Sequence, residues 1–134
     1  MKLVFLFQLG LAVARVDLPG VYNFEDAQNA CYARGLDLPT IEEAGEMWCH
    51  SDFAKYYKTN SFFPQSDMGC TRAGISRSIR NLQKDIYWSR SVYSPPTTTR
   101  PSINFVQYFV MGRQGKYYTT PANKLRVRCV RRFR

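Results

Sequence analysis

His50, Ser51 and Asp52 stand side by side and are the three residue types of a serine-hydrolase triad. A triad needs side chains that converge from separate segments of the fold, whereas adjacent residues at the end of a helix point in different directions. A cysteine nucleophile would need a thiolate, which disulfide formation removes. We therefore predict that the protein is not an enzyme and has no catalytic residue.

The four cysteines, Cys31, Cys49, Cys70 and Cys129, are the next residues with distinctive chemistry. They include no Cys-x-x-Cys pair, and His50 is the only histidine, so their spacing does not indicate a zinc site. Four cysteines in a small chain with an N-terminus typical of export, described below, favour two disulfides, for which three pairings exist. We predict no metal ion and no cofactor.

Basic and aromatic residues are abundant, since the formal net charge is +9 and 15% of the residues are Phe, Tyr or Trp. Tyrosine rings can stack on sugar faces, and arginine can grip sulfate or carboxylate, so the mixture suits an acidic glycan. Single-stranded nucleic acid uses similar contacts, but export argues against it. The candidate ligand-binding residues are Arg90, Tyr93, Arg100, Tyr108, Arg113, Lys116, Tyr117 and Tyr118.

The N-terminus MKLVFLFQLGLAVA has an early lysine, an apolar run and Ala-Val-Ala before Arg15, which is typical of a secretory signal cleaved after Ala14. We expect residues 1–14 to be a signal peptide and residues 15–134 to be a single domain, secreted or displayed on the extracellular surface. In the alternative, Leu3 to Val13 is the first strand of the domain. No apolar run is long enough to span a membrane in the mature chain.

Two short helices are expected to position the first two cysteines. Asn23 is a good N-cap for a helix that ends at Gly35 and carries Cys31 on its apolar face. Thr40 and Glu43 form a capping box that begins a second helix, whose inner face ends near Cys49. The segment from Lys55 to Arg80 is irregular and contains Cys70.

The second half of the chain has the pattern of strands. These are Asp85 to Ser91, Ile103 to Met111 and Lys116 to Thr120, the last two flanking a hairpin turn at Gly112–Gly115, and a closing strand Leu125 to Arg132. The segment Tyr93 to Ser102 is a proline-rich loop. In the closing strand the cysteine alternates with arginines, so it should face the core while most arginines face away. The arginines Arg126, Arg128, Arg131, Arg132 and Arg134 form either a polyanion contact or a solvated strand face and tail.

A cysteine on the buried face of the first helix and one on the buried face of the last strand would join the two ends of the domain. This predicts the disulfides Cys31–Cys129 and, nested inside, Cys49–Cys70. The expected class is α+β, with two helices packed on a short antiparallel sheet and a long loop region.

The sequence blocks FEDAQNAC, GLDLPTIEEA, the Tyr-Trp-Ser of DIYWSRS and the closing VRCVR resemble the C-type-lectin-like superfamily. They are similar to its bacterial version, found at the tip of invasin- and intimin-type adhesins and at the C-terminus of collagen-like adhesins. The resemblance runs from about Tyr22 to Arg132. Link modules, which bind hyaluronan, are a more distant relative, because Cys129 lies too far beyond Cys70 for that family.

The resemblance implies a C-type-lectin-like fold that presents ligands on its loops. The calcium-binding Glu-Pro-Asn or Gln-Pro-Asp loop and the Trp-Asn-Asp strand of calcium-dependent lectins do not occur, and Arg90 stands where ion ligands would be. We therefore expect a calcium-independent binding module that recognises an acidic glycan or a protein receptor. The alternative is a structural subunit of an extracellular fibre, virion or secretion machine, forming homo-oligomers or a larger assembly through the same fold.

Overall fold

The computed structural model describes residues 2–53, 78–109 and 112–133. In chain order the elements are β1 (Leu3–Leu6), a 3-10 turn (Phe7–Leu9), β2 (Leu11–Ala14), α1 (Phe24–Tyr32), α2 (Ile41–Cys49), β3 (Ile86–Ser94), β4 (Ile103–Tyr108), β5 (Gln114–Tyr118) and β6 (Val130–Arg132). Within these residues the strands form two antiparallel sheets, ordered β1-β2-β6 and β3-β4-β5. The predicted α+β class is confirmed, with two small sheets in place of the single one expected.

Both helices begin at the predicted caps. The Asn23 side chain accepts a hydrogen bond from the Asp26 amide at 2.9 Å. Thr40 and Glu43 form the reciprocal capping box, with bonds of 3.1 and 2.8 Å. These bonds satisfy backbone donors that the first turn of a helix leaves without partners. None of the described helices is long and apolar enough to cross a membrane.

The N-terminal residues form part of the hydrophobic core. Strands β1 and β2 make a hairpin, and β2 lies between β1 and β6 with Val13 opposite Val130. All four residues of β2 are at most 1% exposed. The run forms two strands and a turn where the alternative to a signal peptide had one strand, and cleavage after Ala14 stays a prediction.

The Cys31–Cys129 disulfide is confirmed, with 5.6 Å between the two Cα atoms and a sequence separation of 98. It lies in a buried cluster with Leu38, Trp88 and Val127. It therefore joins α1 to the segment that leads into β6. The predicted Cys49–Cys70 pair falls outside the described residues, because Cys70 does, as does most of the irregular segment predicted from Lys55 to Arg80.

The closing segment is less regular than predicted. Only Val130–Arg132 forms a strand, while Leu125 and Arg126 make isolated bridges to Tyr22 and Tyr87. Cys129 faces the core as expected. The expectation that arginines of this segment face away is wrong for Arg128, whose side chain is 1% exposed and bonded to Asp17.

Candidate binding surface on the second sheet

The C-terminal part of the chain carries cations and no carboxylates. From Ile86 to Arg134 the sequence contains ten Lys and Arg residues and no Asp or Glu. Every acidic partner of these cations must therefore come from earlier in the chain. The cations that make ion pairs with such partners stabilise the fold, and those without an ion pair to a described residue are candidates for binding a ligand.

Four arginines of this part are engaged in ion pairs within the fold. Arg128 pairs with Asp17 at 2.7 Å and Arg126 with Asp85 at 2.9 Å. Arg132 binds both carboxylate oxygens of Glu43, and it shares Asp37 with Arg90. Burial alone would lower the pKa of Arg132, but the hydrogen bonds to Glu43 and Asp37 raise it overall. Among the described C-terminal arginines considered for a polyanion contact, only Arg131 makes no ion pair with a described residue.

The predicted ligand residue Arg90 belongs to this structural set. Its guanidinium lies 2.6 Å from Asp37, and its backbone amide donates to Pro39. Both contacts fasten β3 to the link between the two helices. We therefore leave Arg90 out of the candidate surface.

One face of the β3-β4-β5 sheet is only partly covered by α2. Side chains alternate along β4, so Val106 faces the buried cluster around Trp88, while Phe105 and Gln107 face the other way. At the Gln107 end, Gln114 donates hydrogen bonds to Gln107 and to the carbonyl of Ile41 in α2. The Phe105 end lies beyond these α2 contacts and is partly exposed.

A double irregularity in β3 shapes that open end. The register of β3 with β4 shifts between Trp88 and Val92 and again before Ser94. Ser89 donates to the Phe105 carbonyl at 2.6 Å, and the Asn104 side chain donates to the Ser89 carbonyl, so side chains replace part of the strand ladder. The irregular strand continues to Ser94, two residues into the segment predicted as a loop.

Tyr93, Phe105 and Lys116 meet at this end of the sheet. The Tyr93 and Phe105 rings pack edge to face with centroids 5.5 Å apart. The Lys116 ammonium lies 4.0 Å from the centre of the Tyr93 ring, close enough for a cation–π interaction. Tyr93 nevertheless remains 52% exposed. The tyrosine is held from one side by Phe105 and leaves ring surface for a ligand.

Two further predicted residues border this group. Tyr118 lies two residues after Lys116 on the same face of β5 and is 44% exposed. Arg100, in the loop between β3 and β4, donates to the Ser94 hydroxyl at 3.0 Å, next to Tyr93 in the chain. We call Tyr93, Arg100, Phe105, Lys116 and Tyr118 the Tyr93 surface.

The remaining predicted ligand residues lie elsewhere. Tyr108 and Tyr117 are hydrogen-bonded to each other and pack against the buried cluster on the opposite face of the sheet. Burial raises the pKa of Tyr108, and the charge and hydrogen bond of Tyr117 add to the shift. Arg113 is exposed at the β4-β5 turn, the far end of the sheet from Arg100.

The hydrolase-like run His50–Asp52 directly follows α2. His50 and Ser51 are buried at the end of α2, and Ser51 donates to the Trp48 carbonyl at 2.7 Å. Burial lowers the pKa of His50. No group of three or more His, Cys, Asp or Glu among the described residues is placed to hold a metal ion.

Sequence reasoning missed Phe105 as a member of the surface. Its alternation with Val106 along β4 marks it as facing away from the core, and this signal was present in the sequence. Phe5 and Phe7, the exposed phenylalanines of the N-terminal hairpin, lie in the run that is predicted to be a signal peptide, so no surface role was expected of them.

Comparison of the chain with models of protein families found no match, and comparison with curated proteins found none either. The C-type-lectin-like resemblance therefore stays a prediction.

Proposed function

We propose that the protein is a C-type-lectin-like binding module, secreted or displayed outside the cell, that recognises an acidic glycan without calcium and without catalysis. The order of two helices followed by β3 to β6, and the bridge from α1 to the closing segment, support this fold assignment. The disulfide also supports an oxidising, extracellular location, since such bonds are rare in the cytosol.

The observation that carries the proposal is the exposed Tyr93 ring with the Lys116 ammonium above it. A sugar ring can stack on the exposed part of an aromatic ring, while a neighbouring cation binds its carboxylate or sulfate. Neither Lys116 nor Arg100 makes an ion pair with any described residue, so their charges are available to such a ligand.

Heparin affinity chromatography with a salt gradient tests this proposal. We expect Lys116→Gln and Tyr93→Ala each to weaken binding to a heparin oligosaccharide by about fivefold, since a single exposed charge or cation–π contact contributes roughly 1 kcal/mol. Binding should also weaken as salt rises, because screening acts on exposed charges.

Tyr32→Ala and Arg34→Gln are the matched controls, because both side chains are exposed on or next to α1. They remove one ring and one charge without touching the Tyr93 surface. If Arg34→Gln loses as much binding as Lys116→Gln, heparin binding depends only on net charge. If Tyr32→Ala loses as much as Tyr93→Ala, the loss is not specific to the Tyr93 surface. Either result would show that the proposed surface is wrong. Retention that ignores salt, or binding to a protein receptor alone, would contradict the glycan as ligand.

A second candidate function, as a structural subunit of an extracellular fibre, virion or secretion machine, is favoured by three exposed phenylalanines. Phe5, Phe7 and Phe133 are 50%, 73% and 44% exposed and lie in mutual contact. Apolar rings grouped at a surface are typical of protein contacts. Salt-insensitive oligomers in size-exclusion chromatography that disappear in Phe7→Ser would support this candidate.

A further inference from the structure

Strand β1 is the outer strand of its sheet, and its outer side offers backbone groups to a partner. The Arg15 amide donates to the Lys2 carbonyl at 3.1 Å, which makes Lys2 and Arg15 a hydrogen-bonded pair. Hydrogen-bonded and non-hydrogen-bonded pairs alternate in antiparallel strands, so Val4 and Leu6 bond to β2. Leu3 and Phe5 then direct their N–H and C=O groups away from β2. No described residue makes a backbone hydrogen bond to them on that side.

A cleft of about 600 Å³ lies beside this edge. Leu3 and Phe5 line it from the strand, together with Phe7, and Arg15 and Arg80 also line it. Both arginine side chains are exposed, and neither makes an ion pair with a described residue. None of the described residues that line the cleft is acidic. The cleft therefore combines a strand edge, aromatic rings and two positive charges.

The aromatic side of the cleft is preorganised. The Phe5 and Phe7 rings stack with centroids 5.5 Å apart, and the Phe133 ring lies 5.8 Å from each of them. An apolar side chain that reaches this group would bury ring surface without first ordering it. This gives the cleft an apolar anchor beside its charged part.

We propose that, in the chain that retains residues 1–14, the outer edge of β1 binds an extended, acidic segment of a partner protein as a fourth strand. The segment's backbone would pair with Leu3 and Phe5, a carboxylate would bind Arg15 and Arg80, and an apolar residue would pack on Phe7. Addition of a strand uses the unpaired edge that sheets otherwise leave exposed. The inference is independent of glycan binding by the Tyr93 surface, and it gives the assembly candidate a chemical class of partner.

A second copy of the chain fits this edge less well. Pairing two β1 strands about a two-fold axis would bring Arg15 and Arg80 of both copies to one cleft that holds no described carboxylate. Each copy also carries a formal charge of +9, which opposes association. An acidic partner is favoured by the same charges.

The test uses a short fluorescein-labelled peptide of alternating valine and glutamate, with a valine–lysine peptide as its counterpart. We expect the glutamate peptide to bind, and Arg15→Glu with Arg80→Glu to weaken its binding on the order of tenfold, as expected for two partly exposed charge contacts. On binding, the amides of Leu3 and Phe5 should exchange more slowly with solvent. The amide of Val4, already bonded to β2, should not change.

Two variants at one position separate the backbone from the ring. Phe5→Ala removes the ring and keeps the N–H, whereas Phe5→Pro removes both, at a position whose N–H does not serve the β1-β2 ladder. We expect Phe5→Pro to bind the peptide more weakly than Phe5→Ala while both retain the near-ultraviolet circular dichroism of the folded chain. Lys116→Gln should bind the peptide normally, which separates this inference from the glycan proposal.

Several results would overturn the inference. These are equal binding of the two peptides, equal binding by Phe5→Ala and Phe5→Pro, and no added protection at Leu3 and Phe5. Sedimentation of a dimer that Phe5→Pro dissociates would instead assign the edge to a second copy. Binding to phosphatidylserine vesicles that Phe7→Ser abolishes, without peptide binding, would assign it to a lipid surface.

Discussion

Replacing Asp17 by Asn should be among the most destabilising single changes in the chain, because it leaves the buried charge of Arg128 without a counter-ion. Arg128 is 1% exposed and donates to Asp17 at 2.7 Å and to the carbonyls of Ala14 and Arg80 at 3.0 Å. Only Asp17 among these acceptors is negatively charged. Removing one partner of a buried ion pair typically costs about 3–5 kcal/mol, because the remaining charge stays desolvated.

The loss should be measurable by urea unfolding with the disulfides intact. Trp48 and Trp88 are both buried, Trp88 in the cluster around the disulfide and Trp48 in a second cluster with Met47 and Phe109, so their fluorescence reports on unfolding of both clusters. A domain of this size has a free energy of unfolding of about 5–15 kcal/mol, so the variant should lose roughly a fifth of it or more. The matched control is Asp85→Asn, which breaks a surface pair with Arg126 and should cost about 0–1 kcal/mol.

The reasoning depends on Arg128 staying charged and buried. If Asp17→Asn lowers the free energy of unfolding no more than Asp85→Asn does, then water or another acceptor compensates the Arg128 guanidinium. The buried ion pair would then stabilise the fold no more than the surface pair does. A further variant, Arg128→Met combined with Asp17→Asn, should recover part of the loss, since it removes the stranded charge. Failure to recover would show that packing, or the hydrogen bond that the Tyr87 hydroxyl donates to Asp17, and not charge, causes the effect.

Three other predictions test separate parts of the fold. Burial lowers the pKa of His50 below its ordinary 6.5, so as pH falls the unfolded chain binds a proton before the folded chain does, and stability should fall below about pH 6.5. In His50→Gln the urea concentration at the unfolding midpoint should depend less on pH in that range. Gly112 has a φ of +72°, and an added Cβ would lie 2.7 Å from the Trp48 ring, so Gly112→Ala should lower the free energy of unfolding by about 2 kcal/mol or more. The control Gly20→Ala should lower it by about 1 kcal/mol, because Gly20 also has a positive φ but has open space around it. A chain that begins at Arg15 should unfold at lower urea than the full chain because it lacks β1 and β2, and intact-mass measurement of secreted protein shows whether cleavage after Ala14 takes place.

The helices and the long-range disulfide could be predicted because their signals are local. A cap is decided by residues within one turn, as at Asn23 and Thr40. The spacing of apolar residues around a cysteine indicates which side of its helix or strand it lies on. Two cysteines on buried sides at opposite ends of a small domain have few other partners. The β4-β5 hairpin was likewise predictable from the glycines of its turn.

The missed features depend on partners far away in the sequence. A short apolar run is typical of a signal peptide and also of a strand, and its pairing with β6 joins residues far apart in the sequence, so no local signal indicates that pairing. Arg128 is buried because Asp17, 111 residues earlier, supplies its countercharge. Alternation places Tyr108 and Lys116 on opposite faces, but nothing local indicates which face the rest of the chain covers.

The Cys31–Cys129 bridge also decides how the domain would respond to a pulling force. Tension applied near Lys2 and Phe133 would pass through the disulfide and bypass the 98-residue segment that it closes. Only the stretches from Lys2 to Cys31 and from Cys129 to Phe133 could then lengthen, to a combined extended length of about 120 Å at most. A module that holds on to a ligand under load would thus keep its second sheet, with the Tyr93 surface, outside the mechanical path.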